Sequence, residues 1–313
     1  MRFGLEIPTC KPFDAVAFGL NAVDHLIVVP RFPDFNTKLE FSSHLRAPGG
    51  QCATAMVTLA RLGLRTSYIG KVGSDETGEF QLKSISSEGV DVSKVMVAQG
   101  AESQLAFIIV DAPTGERTIL WHRDDKLIIQ PDEVDRNAVT AGRVLHLDGH
   151  NVAASIRAAE FARQAGVPTV LDIDNYYPGT HELLPLIDFL ICSSDFSRRA
   201  TGESDLRKGL IELADQTGSH FVAATVGREG VIGLLGGQWI ESRGFEVECR
   251  DTTGAGDAFH GGFIYGLLAG MSVEETLRFA NAVAALNCRE VGARTSLPRL
   301  EEVEQLLKQQ PKV

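Results

Sequence analysis

The run Asp251-Thr252-Thr253-Gly254-Ala255-Gly256-Asp257-Ala258-Phe259 comes closest, of any stretch in this chain, to spelling out a reaction. Two glycines around one alanine let backbone amides approach a ligand closely. The run lies between a β-like stretch at 245–249 and an apolar helical stretch at 258–269. A helix start presents unpaired N–H groups, which suit an anion such as phosphate. Asp257, at the same helix start, adds a carboxylate able to take a proton from a hydroxyl. A proton acceptor beside donors aimed at developing negative charge is what phosphoryl transfer to an alcohol requires. By itself, a Gly-Ala-Gly-Asp turn is more often a simple turn with a capping acid.

Other stretches carry weaker chemistry. Pro48-Gly49-Gly50-Gln51-Cys52-Ala53-Thr54 opens a helical run, and a glycine pair there lets a ligand lie against backbone. Gly19-Leu20-Asn21-Ala22-Val23-Asp24 puts an acid just past the first strand. Asp172 and Asp174 end a strand, where open parallel sheets bind ligands. His146 and His150 stand four apart on a strand and its exit, poor spacing for a zinc pair. His122-Arg123-Asp124 lacks the Asn and the Asp-Phe-Gly that a protein-kinase loop needs, and no Walker-type P-loop or Rossmann glycine fingerprint is present.

The nine residues 251–259, with the Gly49-Gly50 segment, resemble the two signatures of the PfkB (ribokinase-like) carbohydrate kinases. The resemblance spans nearly the whole chain. It implies Asp257 as catalytic base and Gly254, Ala255 and Gly256 as the anion hole. It implies Asp24, Gly49, Gly50 and Thr54 on the sugar, although most members carry Asn where Thr54 stands. It places ATP along Thr225-Val226-Gly227-Arg228-Glu229-Gly230 and beside Asn281, with Mg²⁺ on the phosphates. The family's Asn-x-x-Glu motif is replaced by Ser193 and Phe196, with Asp195 one position off, which leaves Asp195 or water to fill its role; Ser194 is a candidate ATP contact. Asp251, Thr253, Gly292 and Ser296 match the loops that hold a monovalent cation, K⁺, in many members. His260 and Lys38 look closest to a branch that includes sulfofructose-type sugar kinases, but that branch's arginine has no counterpart at Asp148-Gly149-His150. A nucleoside kinase, or a non-catalytic sugar or nucleotide sensor on the same fold, is the rival reading.

These residues need elements to position them. Short β-rich runs at 14–20, 66–70, 144–147, 169–172, 189–192, 221–226 and 231–235 alternate with helical runs at 50–62, 75–88 and 152–165. That rhythm predicts parallel βαβ units. Val273, Leu277, Ala280 and Ala284 form a helical apolar stripe. The stretches 35–46 and 94–122 are β-rich without helices, and 105–110 with 117–121 reads as a hairpin. The expectation is one α/β domain over 1–313, a three-layer ribokinase-like fold with a mostly parallel sheet. A small β-sheet lid from those two stretches would also offer strands for a homodimer.

Composition sets the outer limits. The chain has 313 residues and a formal net charge of −11, which gives no support for a nucleic-acid or anionic-membrane partner. The five cysteines are scattered and lack a Cys-x-x-Cys pair, as expected of a reduced, cytoplasmic protein. The first residues have no apolar leader run, and no stretch approaches the length of a membrane span.

Overall fold

Each helical run carries the chain back across a sheet before the next strand begins, so the strands line up parallel. The computed structural model describes residues 1–310. Its strands in chain order are β1 (Phe13–Phe18), β2 (Ala22–Val29), β3 (Ser43–Gly49), β4 (Thr66–Ile69), β5 (Lys71–Gly73), β6 (Met96–Ala98), β7 (Leu105–Asp111) and β8 (Arg117–His122). They continue as β9 (Gly142–Asp148), β10 (Thr169–Ile173), β11 (Phe189–Ser193), β12 (Phe221–Thr225), β13 (Val231–Leu235) and β14 (Gln238–Ser242).

The large sheet has the order β14-β13-β12-β11-β10-β9-β1-β4. Neighbours from β4 to β12 run parallel, and β13 and β14 turn back antiparallel. Strand β10, Thr-Val-Leu-Asp-Ile, is buried along its whole length. Such a strand needs cover on both faces. One face packs on helices Gln51–Arg61, Ala255–Leu268 and Val273–Asn287 through Met56, Phe259, Phe263, Leu277 and Val283. The other packs on helices Val152–Gln164, Ser194–Thr201 and Leu206–Thr217 through Ala158, Phe196 and Leu210. This is the expected three-layer arrangement. Among the described residues, no helix is long and apolar enough to cross a membrane.

The second sheet has the order β3-β2-β7-β8. Its composition differs from the expectation in three ways. Strand β2, Ala-Val-Asp-His-Leu-Ile-Val-Val, belongs to it, so Asp24 sits inside a strand and not in a loop after one. Residues 35–42 form no strand, and Phe35 at 99% exposure has no apolar face to join. In the stretch 94–104 only β6 is a strand, and it pairs with β5 instead. The 105–111/117–122 hairpin forms in antiparallel register, Ile108 opposite Ile119. The small core of this sheet is Leu26, Ala47, Ala106, Ile108 and Val110, a period-two set on one face.

Two further differences lie near the glycine turn. The β-like stretch 245–249 is extended but unpaired, and the sheet ends instead on β14. The β13–β14 hairpin turns on Gly236 and Gly237, with φ of 55° and 79°. Consecutive positive-φ residues suit the right-handed twist of a two-residue hairpin. The helix after the turn starts at Ala255, earlier than the apolar run suggests, because glycine and aspartate tolerate a first turn.

Candidate active site

Gly254 caps helix Ala255–Leu268 in the left-handed region, at φ 75°. A side chain there would also meet the backbone of Ala293, 2.7 Å from its carbonyl oxygen. Glycine is therefore required twice over. The Ala255 amide donates to Thr252 O at 3.2 Å and the Ala258 amide to Gly254 O at 2.9 Å. Between them the amides of Gly256 and Asp257 are first-turn donors without an intrahelical acceptor. A methyl group added at Gly256 would meet nothing within 4 Å, so the space beside these donors is open. Of the three anion-hole residues expected from sequence, Ala255 has its amide already engaged.

Asp257 stands in this first turn, partly accessible as a residue lining a crevice is. Burial of its carboxyl pushes the pKa up to about 8; Asp172, Asp174 and Asp24 push the same way, and His260 opposes them. The acids are close enough to feel one another although they come from three separate elements. Asp172 lies near the C-terminal end of β10, and its Oδ2 is buried without a hydrogen bond. It lies 3.4 Å from His260 Nδ1, which also faces Gly256 O at 2.9 Å. Burial and then the Asp174 and Asp148 charges hold Asp172 well above the usual carboxylate range.

Most residues expected on the sugar come together on and beside the second sheet. Asp24, Ala47, Ala106 and Trp121 are cross-strand neighbours and so share one face of the second sheet. That face meets the main body where Trp121 packs edge-on to His150, ring centroids 6.1 Å apart, and where Arg117 Nη1 donates to Thr252 Oγ1 at 2.6 Å. Any Cβ on Gly49 would collide with the Asp24 carboxylate, and one on Gly50, at φ 92°, with the Asn21 backbone at 2.6 Å. The glycine pair is what lets this carboxylate lie against the chain. Burial raises the Asp24 pKa to about 6, partly countered by Arg294. Thr54 is fully buried and turns its hydroxyl to Arg294 Nε, 3.0 Å away. Arg294 was not among the residues singled out from sequence. Nothing in a Gly-Ala-Arg-Thr loop marks its arginine as buried. Lys38 sits exposed on the loop between β2 and β3.

The nucleotide-side residues are placed less uniformly. Thr225 ends β12 beside Ser193 and Val231. Gly227 and Gly230 carry φ of 59° and 101°, and Gly230 packs directly on the backbone of Arg243 and Gly244. Asn281 spends its amide on the carbonyls of Ser242 and Arg243, at 2.8 and 3.1 Å. Its polar group serves the 242–243 loop. Phe196 is core, Asp195 pairs in solvent with Arg198 at 2.9 Å, and Ser194 is exposed at the start of its helix.

Asp251, Thr253 and Gly292 come together. Asp251 Oδ1 accepts from Thr253 N at 2.9 Å and Oγ1 at 2.7 Å, and Oδ2 accepts from Gly292 N at 2.8 Å. Ser296 joins indirectly, donating to Asn287 O at 2.8 Å, while Asn287 Nδ2 donates to Thr253 O at 3.3 Å. Asn287 Oδ1 is a buried acceptor without a donor. Among the described residues no group of three or more His, Cys, Asp or Glu side chains forms a metal cage.

The family model described as pfkB family carbohydrate kinase matches residues 13–300. The chain is 28% identical over 322 residues to the 5-dehydro-2-deoxygluconokinase of Bacillus subtilis (strain 168), covering 96% of this chain and 97% of that protein. It is 30% identical over 302 residues to the ribokinase of Haemophilus influenzae, covering 92% and 96%. A crystal structure from Agrobacterium tumefaciens, described as a candidate ribokinase, superposes with a TM-score of 0.87 at 29% identity, covering 94% of this chain and 97% of that one.

Proposed function

The chain belongs to the pfkB family of carbohydrate kinases, and from that premise we propose that it transfers the γ-phosphoryl group of ATP to a hydroxyl of a small sugar, with Asp257 as the base. The observation that carries this reading is the Asp257 carboxyl at a helix start, beside the free amides of Gly256 and its own residue and within reach of the Asp24 charge. The sugar hydroxyl gives its proton to Asp257 while its oxygen forms the new bond to phosphorus. The bond from phosphorus to the bridging oxygen breaks, and ADP leaves with that electron pair. The amides of residues 254, 256 and 257 face the charge that develops on the phosphoryl oxygens.

With its pKa raised to about 8, the Asp257 carboxyl keeps its proton at neutral pH while the site is empty, and an approaching cation favours the ionised form that acts as base. ATP arrives as its Mg²⁺ complex, which neutralises phosphate charge. Magnesium carried on phosphates needs one or two carboxylates, not a closed cage. Asp172, with its orphaned buried oxygen, and Asp174 beside it fit that need. A K⁺ ion would be held on the loops of Asp251, Thr253, Gly292 and Ser296, where the orphaned Asn287 Oδ1 offers a further acceptor.

The second sheet closes over the sugar and excludes water, which limits hydrolysis of ATP. Its outer strand β8 is exposed along its length and carries Ile119, Leu120 and Trp121. Such an edge is covered when two copies pair through it. Light scattering on the purified protein reads this directly, and a monomer at micromolar concentration removes it. The function itself is tested by coupled ADP release with a panel of ketoses, aldoses, sugar acids and nucleosides. Turnover with sugars that vanishes in Asp257→Asn supports the assignment; turnover confined to nucleosides overturns it.

A further inference from the structure

His260 lies one turn past Asp257 on the helix Ala255–Leu268 and is 2% exposed. Its neighbours on that helix, Phe259, Gly261, Gly262 and Phe263, are apolar. Burying an imidazole among them costs desolvation that an apolar side chain of similar size would avoid. The ring is pinned on several sides. Nδ1 faces Gly256 O at 2.9 Å and Asp172 Oδ2 at 3.4 Å, and Nε2 faces Ile191 O at 3.3 Å. The His146 ring from β9 lies alongside, centroids 5.6 Å apart. One side chain thus joins the helix that carries Asp257 to strands β10 and β11.

The nearest of these contacts bears on the glycine turn. The Gly256 carbonyl and the Asp257 N–H belong to one planar peptide unit. That N–H is a first-turn donor without an intrahelical acceptor. The helix ladder, through the backbone amide of His260, takes one lone pair of Gly256 O, and the imidazole takes the other. Gly256 O and the Asp172 carboxyl both stand at Nδ1, so the network assigns the ring N–H to that nitrogen. A hydrogen bond accepted at a peptide oxygen polarises the unit and strengthens its N–H as a donor. The same bond fixes the plane of the peptide, and with it the direction of that N–H.

We propose that His260 is a positioning residue for phosphoryl transfer, holding and polarising the Gly256–Asp257 peptide so that the Asp257 amide meets the phosphoryl oxygens as a strong, pre-aimed donor. This deepens the sugar-kinase reading and rests on it. His260 touches neither sugar nor phosphate and acts only through the peptide. Its effect belongs to the transition state, where charge on those oxygens is greatest, and not to the binding of either substrate.

The test compares two amide side chains in the full-length enzyme. In His260→Asn the amide nitrogen can take the place of Nδ1 and donate to Gly256 O. In His260→Gln it takes the place of Nε2 and donates to Ile191 O instead. His260→Gln should lower kcat about tenfold, short of the roughly hundredfold or more that follows outright loss of such a donor. KM for the sugar and for ATP should stay within about threefold. Calorimetric affinity for Mg²⁺-ADP with aluminium fluoride, a mimic of the transferring group, should weaken in step with kcat. His260→Asn should recover most of both losses, although urea titration should show the two variants comparably destabilised. Equal kcat losses in the two variants, or losses that follow stability or appear in KM, overturn the positioning role and leave the kinase assignment standing. A wild type that phosphorylates no sugar overturns the kinase reading and this role with it.

Discussion

The two ends of the crevice are built differently. The end proposed to take the phosphoryl group is one continuous run, 251–257, folded onto the start of a single helix. Its donors are backbone amides and its geometry is set by one left-handed glycine. The end proposed to take the sugar is assembled from distant segments: Asp24, the Gly49-Gly50 turn and Thr54, with Asn21 and Arg294 packed beside them. Its contacts span separations of 240 to 273 residues. Backbone donors in a short turn are hard to vary without losing the turn. Side chains brought together from afar can be exchanged one at a time. The first end therefore suits the constant half of the reaction, the phosphoryl group, and the second suits the half that differs between substrates.

If that contrast holds, damage to the first end removes chemistry and damage to the second changes what is bound. The largest expected effect is on Asp257→Asn, which should lower kcat by roughly a thousandfold while ATP affinity, measured by calorimetry, stays within a few-fold. Near-normal turnover would place the base elsewhere. Next is Asp24→Ala. Its sugar KM should rise by roughly tenfold to a hundredfold, with a smaller change in kcat, as loss of a buried charged hydrogen-bond acceptor implies. An unchanged KM would separate Asp24 from the sugar.

Gly254→Ala should lower stability by about 1–3 kcal/mol in urea titration, since the left-handed φ and the contact with Ala293 both resist a side chain. Wild-type stability in that variant would show the turn to be less constrained than its geometry says.

The smallest effect is a pH dependence. Asp257 has a folded-state pKa of about 8, above that of an unfolded aspartate. The folded state then holds the proton over the window from about 4 to 8 while the unfolded chain has released it, so this group lowers stability as pH rises through that window. Asp257→Asn should therefore melt higher than wild type at pH 9, with the difference closing towards pH 4. Over the same upper range the kcat/KM of wild type should rise, because the base works ionised. A flat difference in melting temperature across pH would mean that the carboxyl is not buried as described.

Much of this was legible along the chain. The βα alternation, the glycine-stopped helices and the 105–111/117–122 hairpin rest on local periodicity and turn chemistry, which a sequence displays directly. So does the glycine–aspartate turn, whose donors belong to the same few residues as its acid. What misled was also local in character. The 245–249 stretch has β-like residues but finds no neighbour to pair with, while β2 was hidden because Asp24 reads as a loop acid. Pairing partners are a property of the sheet, not of the strand.

The sequence by itself determined the class of fold and the glycine–aspartate turn, because both are written in contiguous residues. Only the tertiary structure decided the surroundings of the residues expected at the sugar and nucleotide. It turned Thr54 towards Arg294, spent the Asn281 amide on the carbonyls of residues 242 and 243, and buried a guanidinium beside an unpaired asparagine. Burial and the identity of a charge's nearest partner depend on segments far apart in the chain. No spacing of residue types encodes them.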